Sequence, residues 1–65
     1  MKVRYDADVD AVFLRLTDAE IRDSEEVRPG VIVDFDSNGK IVALEFLNAT
    51  ERFSADAIRQ FKDAA

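Results

Sequence analysis

The sequence predicts an α+β fold: an antiparallel β-meander of four or five strands followed by one C-terminal α-helix. Up to Leu47, apolar and polar residues alternate in short runs, the period of a half-buried strand. Turn signals separate those runs: an Asp-rich stretch at residues 6–10, Pro29-Gly30 and Asn38-Gly39. From Ser54 the apolar spacing becomes helical. With 65 residues, the chain is one small domain over 1–65, with the meander in 1–48 and the helix in 54–64.

Each element has a local reason. Lys2–Tyr5 places Lys2 and Arg4 on one side and Val3 and Tyr5 on the other, a short strand. The turn Asp6-Ala-Asp-Val-Asp10 is rich in side chains that bond their own backbone. Ala11–Thr17 follows as a second strand, with Val12, Leu14 and Leu16 on one face and Phe13 and Arg15 on the other. Residues 18–28 are polar, and Ile21 and Val27 stand six apart, which makes no helical stripe. A short, charged edge strand near Glu20–Ser24 is expected there, since charge on an edge discourages unwanted pairing. Val31–Phe35 and Ile41–Leu47 are the clearest strands. Ser54 is a suitable N-cap, and Asp56 sits in the first helical turn, near the positive end of the dipole. Phe53 and Ile58 have the spacing of a hydrophobic staple. Ala57, Ile58 and Phe61 form the apolar stripe, with Arg59, Gln60, Lys62 and Asp63 facing water.

The stretch DFDSNGKIVALE, Asp34 to Glu45, fits every fixed position of the calcium-loop pattern D-x-[DN]-x-[DN]-G-x5-E. The pattern works between two amphipathic helices. Here β-branched strand sequence lies on both sides, so a β-hairpin with a solvated, charged turn is the better reading. Asn-Gly favours a two-residue turn with positive φ at both positions. That register sets Phe35 against Val42, Asp34 against Ala43, Val33 against Leu44 and Val31 against Phe46. Asp34, Asp36 and Glu45 then share the opposite face, where a weak surface cation site is conceivable.

Composition removes most chemistries. No Cys and no His means no disulfide and no zinc site built on those ligands. Ser24, Ser37, Ser54 and Thr17 have no His to activate them, and Lys2, Lys40 and Lys62 lie in polar positions. The carboxylate pairs Asp8/Asp10, Glu25/Glu26 and Asp34/Asp36 read as charged rims at turns and edges. Arg52, Arg59 and Lys62 are interleaved with Glu51, Asp56 and Asp63, a solvated helix face. No catalytic residue, metal site or cofactor is expected, and the protein is not expected to be an enzyme. The 14 acids and 9 bases leave a net charge of −5, which repels phosphate backbones and favours a basic protein as partner. No apolar run approaches a membrane span, and MKVRYDAD lacks a signal-peptide core, so the expected location is the cytoplasm.

The informative feature is apolar. The sheet's first face carries Val3, Tyr5, Val12, Leu14, Leu16, Val31, Val33, Phe35, Val42, Leu44 and Phe46. The second holds Phe13, Ile32, Ile41, Ala43 and Leu47 among charges. One helix covers only one face. The second-face set is therefore the expected interface of a homodimer or of a complex with a basic protein, unless loop residues such as Ile21 and Val27 fold over the gap.

The runs VRYDADVDAVFLRLTD and EEVRPGVIVDFDSNGKIVALEFLNAT resemble a family of small prokaryotic proteins known as domain of unknown function 2283. The shared pattern is an opening strand and Asp-rich turn, an apolar strand ending in Arg-Leu, an acidic stretch, and Pro-Gly before a hairpin. It extends from Met1 to near Phe53. Phe13 stands where the family often has Tyr, and the C-terminal helix varies among members. The resemblance implies a compact β-rich fold and no established activity. Some members resemble the antidote half of toxin–antitoxin pairs, which implies an antitoxin-like role as one form of partner binding. Weak ion or small-ligand binding is the alternative function.

Overall fold

The alternating runs become five antiparallel strands of one sheet, followed by helix, in a computed structural model that describes residues 1–64. The strands are β1 (Lys2–Asp6), β2 (Ala11–Arg15), β3 (Asp23–Arg28), β4 (Val31–Phe35) and β5 (Ile41–Phe46). A single helical turn, α1 (Ala49–Arg52), precedes the C-terminal helix α2 (Ala55–Ala64). The sheet order is β1-β2-β5-β4-β3. Sequence neighbours are spatial neighbours except at β2 and β3, so residues 16–22 form a crossover past β5 and β4. The Leu16 N–H donates to Val42 O at 2.8 Å and the Arg22 N–H to Phe35 O at 2.8 Å, which fixes both ends of that crossover.

The edge strand lies three residues further along than the expected Glu20–Ser24. The reason is the tight Pro29-Gly30 turn, which closes a β3–β4 hairpin from Arg28↔Val31 to Asp23↔Phe35. The residues before it are spent on the crossover. All of β3 is exposed, and its Asp23, Glu25 and Glu26 keep that edge charged.

The β4–β5 pairs Val31↔Phe46, Val33↔Leu44 and Asp34↔Ala43 follow the expected register. The turn itself differs. Gly39 N–H donates to Asp36 O at 3.1 Å and Asp36 N–H to Lys40 O at 2.9 Å. Only Gly39, at φ 77°, takes positive φ; Asn38 does not. This is a type I turn with a glycine bulge, a three-residue loop. Phe35 then pairs with Ile41, leaving Val42 as an extra residue that restores the register before Ala43. The bulge thus rescues a loop length that would otherwise turn every side chain over.

Helix α2 lies on the first face, mainly over β1. Ser54 Oγ accepts from the Ala57 N–H at 3.1 Å, the expected cap. Ile58 is buried with Val12 and Ala49, and Tyr5, Leu14, Phe46, Phe53 and Phe61 pack around them. Phe53 meets Phe46 and Phe61 edge-to-face, with centroids 5.2 and 5.0 Å apart. Burying Ile58 contributes roughly 1.5–3 kcal/mol. On this face Leu16 and Ile41 remain 41% and 50% exposed, beyond the helix.

Candidate functional site

The second face is built from two cross-strand rows. Arg4, Phe13, Glu45, Ile32 and Glu26 are opposed in turn across β1-β2-β5-β4-β3. Lys2, Arg15, Ala43, Asp34 and Ser24 form the next row. Opposed residues point to one side of a sheet. The face is therefore divided in charge. Lys2, Arg4 and Arg15 lie on β1 and β2, and Glu45, Asp34 and Glu26 lie on β5, β4 and β3. The Arg4 guanidinium sits over the Phe13 ring at 4.5 Å.

The crossover closes part of this face. Arg15 donates from Nε to Thr17 O at 2.9 Å and from Nη2 to Ala19 O at 2.6 Å, which holds the crossover down. Ile21 and Asp18 line a groove of about 530 Å³ together with Arg4, Phe13, Arg15 and Glu45. Val27, by contrast, is half exposed and covers nothing fully.

Beneath the crossover Asp34 is 1% exposed, the one buried charged side chain among the described residues. This corrects its reading as a solvated rim carboxylate. Ser24 Oγ donates to Asp34 Oδ1 at 2.5 Å. The Glu45 carboxyl donates to Asp34 as well. That hydrogen bond, then burial, then the charge of Asp34 raise Glu45 to about 7. Glu45 can take up or release a proton near neutral pH.

Asp10 is the other acid with a built environment, and it too is no simple rim. Its carboxylate accepts from Thr50 Oγ1 at 2.7 Å, from the Thr50 N–H and from the Tyr5 hydroxyl at 3.1 Å. The Thr50 hydroxyl bond above all holds Asp10 below the usual carboxylate range. Burial, then the bond to Asp10, pushes the Tyr5 phenol up.

The calcium-loop pattern falls in a hairpin, with strands on both sides. Asp36 Oδ1 accepts the Asn38 and Lys40 N–H groups, each at 2.9 Å, so this acid shapes the turn. Asp34 is turned under the crossover. Among the described residues no three acidic ligands converge on one point. The Arg52, Arg59 and Lys62 set is dispersed. Arg52 reaches the Leu47 and Pro29 carbonyls, Arg59 pairs with Asp56, and Lys62 lies over the Tyr5 ring at 5.6 Å.

The five expected interface residues separate. Phe13 and Ile32 are half-buried neighbours of Glu45 in the first row. Leu47 is 39% exposed and its N–H continues the ladder to Gly30 O. Ala43 is only 5% exposed, because the crossover lies over its row. Ile41 pairs with Phe35 after the bulge and so joins the first face. Ile21 is one of the loop residues expected to fold over this face, and it does so; Arg4 and Glu26 were not singled out for the site. Alternation alone places Arg4 and Glu26 on this face, but the sheet order that brings Ile21 there is a long-range property.

A one-sheet α+β protein with a helix on one side and a charge-divided face on the other is the class these features define. The chain belongs to the family described as Protein of unknown function (DUF2283), which it matches over residues 2–49. The matched region contains the whole sheet and ends at the first residue of α1, leaving Phe53, Phe61 and α2 beyond it. Neither a curated protein nor a solved structure matches the chain. No helix among the described residues is long and apolar enough to cross a membrane.

Proposed function

We propose that the protein is a small acidic interaction module that works as a homodimer, a binding protein and not an enzyme. One observation supports this above the others: each of the five phenylalanines, and Tyr5, stays partly exposed. The fully buried apolar residues are Ala, Val and one Ile. Aromatic side chains bury the largest areas in a core, and leaving none of them fully buried is costly for so small a domain. The accessible surface is 4558 Å². A compact monomer of this mass is expected at about 4,200 Å², so the chain as a whole leaves roughly 400 Å² above that. A second copy offsets the deficit without disulfide or metal. The exposed acidic edge, β3, also suits a basic protein, which is the antitoxin-like form of the same reading. A cytoplasmic setting fits the sequence. Sedimentation equilibrium from micromolar to millimolar concentration tests the dimer. A mass that rises toward twice the chain supports it, and a constant single-chain mass rejects it.

The groove beside Glu45 supports a second reading, binding of a small ligand or ion, because its volume falls within the ~300–1,000 Å³ of ligand sites. A ligand that binds only the folded state raises the melting temperature. Melting unmoved by millimolar calcium, and by small carboxylates or amines, removes that reading.

A further inference from the structure

We propose that the open end of the second face is the self-complementary dimer surface, on which a second copy docks with its basic half over the acidic half of the first. This deepens the homodimer reading and rests on it.

The argument starts from the order of residues along one row. From β1 to β3 it runs Arg4, Phe13, Glu45, Ile32, Glu26. β5 is the middle strand of the five. A two-fold axis parallel to the strands and passing over β5 exchanges β1 with β3 and β2 with β4. Arg4 of one copy then stands over Glu26 of the other, and Phe13 over Ile32; crossover also meets crossover, so the two sheets splay apart at that end and touch along this row. The same contacts recur on the other side of the axis, as an isologous interface requires. A two-fold axis across the strands would instead set Arg4 against Arg4 and Glu26 against Glu26. The charge order therefore selects one of the two face-to-face arrangements.

The surroundings agree. Arg4 and Glu26 are exposed, and Phe13, Ile32 and Glu45 are partly exposed. Leu47 adds an apolar contact at the same end. Arg4 makes no ion pair within the described residues; its contact is the Phe13 ring. Glu26 accepts the Gly30 N–H at 2.9 Å and makes no ion pair within the described residues. Glu45 falls near the axis and faces its own copy. Its proton, retained up to about pH 7, keeps that position free of like-charge contact below neutrality. Asp34 is sealed beneath the crossover, and Arg15 is held by two carbonyls, so neither competes for the partner. The alternative β3 edge carries Asp23, Glu25 and Glu26 against Arg28 and so repels its own copy. The open row is five residues across, against ~20–30 residues a side in a standard interface, which fits a weak, concentration-dependent dimer.

The test is a charge swap read by sedimentation equilibrium in slightly acidic buffer. Both positions are exposed, so R4E and E26R should fold, as far-ultraviolet circular dichroism will verify. Alone, each puts like charges together twice per dimer and weakens association at least about tenfold. In a mixture, the R4E chain is acidic at both positions and the E26R chain is basic at both. Opposite charges then meet at each contact, and the heterodimer returns to near wild-type strength. K40E, with the same change in net charge at the turn, leaves association within about twofold. Three results overturn the surface: singles that dimerise normally, a mixture that fails to recover, or K40E as disruptive as R4E. In those cases the wild-type dimer still stands and lies elsewhere. A wild-type chain that stays single at every concentration removes the dimer and this surface together.

Discussion

The Glu45 carboxyl donates a hydrogen bond to Asp34 diagonally across the β4–β5 ladder. Folding therefore favours the protonated form of Glu45, whose proton is held up to about 7 against 4.5 when unfolded. A group raised in this way contributes its stability in full below the unfolded value and loses it as pH rises through the folded one. The window is thus about 4.5 to 7. Discounted for the partial exposure of Glu45, the effect is about 1 kcal/mol. E45Q keeps an N–H donor for Asp34 and removes the titration. Thermal melting in dilute solution should fall for the wild type between pH 5 and 8 and stay flat for E45Q, with the variant the more stable above neutrality. Parallel curves would show that Glu45 does not carry the proton.

Ser24 is an exposed residue on an edge strand, yet its hydroxyl is the second donor to the buried Asp34. A buried charged acceptor that loses one donor is left partly unsatisfied. S24A should therefore cost about 1–2 kcal/mol in urea unfolding, far more than an ordinary edge substitution. S24A and E45Q act on one acceptor, so their double mutant should depart from additivity. A cost within the noise of a surface change would mean that water replaces the hydroxyl.

Although β3 was expected about three residues too early, four of the five strands, the apolar helix stripe and the Ser54 cap were legible because each depends on neighbours a few residues away. So was the pairing of Val31, Val33 and Asp34 with Phe46, Leu44 and Ala43. The bulge at Val42 was not, since Asn38-Gly39 satisfies two turn geometries and only the strands decide between them. The insertion of β5 beside β2 was not legible either. Nothing local in residues 16–22 says that they pass over two strands, and the burial of Asp34 and Ala43 follows from that passage. Glu45 was visible as a face-sharing acid of Asp34, while its proton depends on the hydrogen bond with that residue and on burial.

Asp10 joins the first hairpin to the first helical turn. Its φ of 54° suits Asp or Gly better than Ala, its carbonyl accepts the Ala49 N–H at 2.9 Å, and its carboxylate accepts three donors. D10A loses both the conformation and the acceptor, whereas D10G loses only the acceptor and D10N keeps part of it. Melting temperatures should fall in the order D10N, D10G, D10A, with several degrees between the first and last. Asp10 is held below its ordinary value, so its contribution is present above about 3.8 and disappears as pH falls through the lowered value. Acid unfolding of D10N should lack that component; an unchanged acid limb would assign it to other carboxylates.

Gly30 and Gly39 share a φ of +77°, yet their surroundings differ. A Cβ at Gly39 meets open space, so G39A carries only the conformational cost of about 1 kcal/mol. A Cβ at Gly30 runs into the Arg52 guanidinium. That guanidinium bridges the Leu47 carbonyl, at 2.6 Å from Nε, and the Pro29 carbonyl. It ties α1 to the β3–β4 turn. G30A should therefore cost about 2–3 kcal/mol, part from the backbone and part from the displaced arginine. Removing the arginine first separates the two parts. In an R52A background the cost of G30A should fall to that of G39A, a coupling of about 1 kcal/mol in the double-mutant cycle. If the costs of G30A and R52A simply add, the two do not share that space, and the arginine is not what keeps position 30 without a side chain.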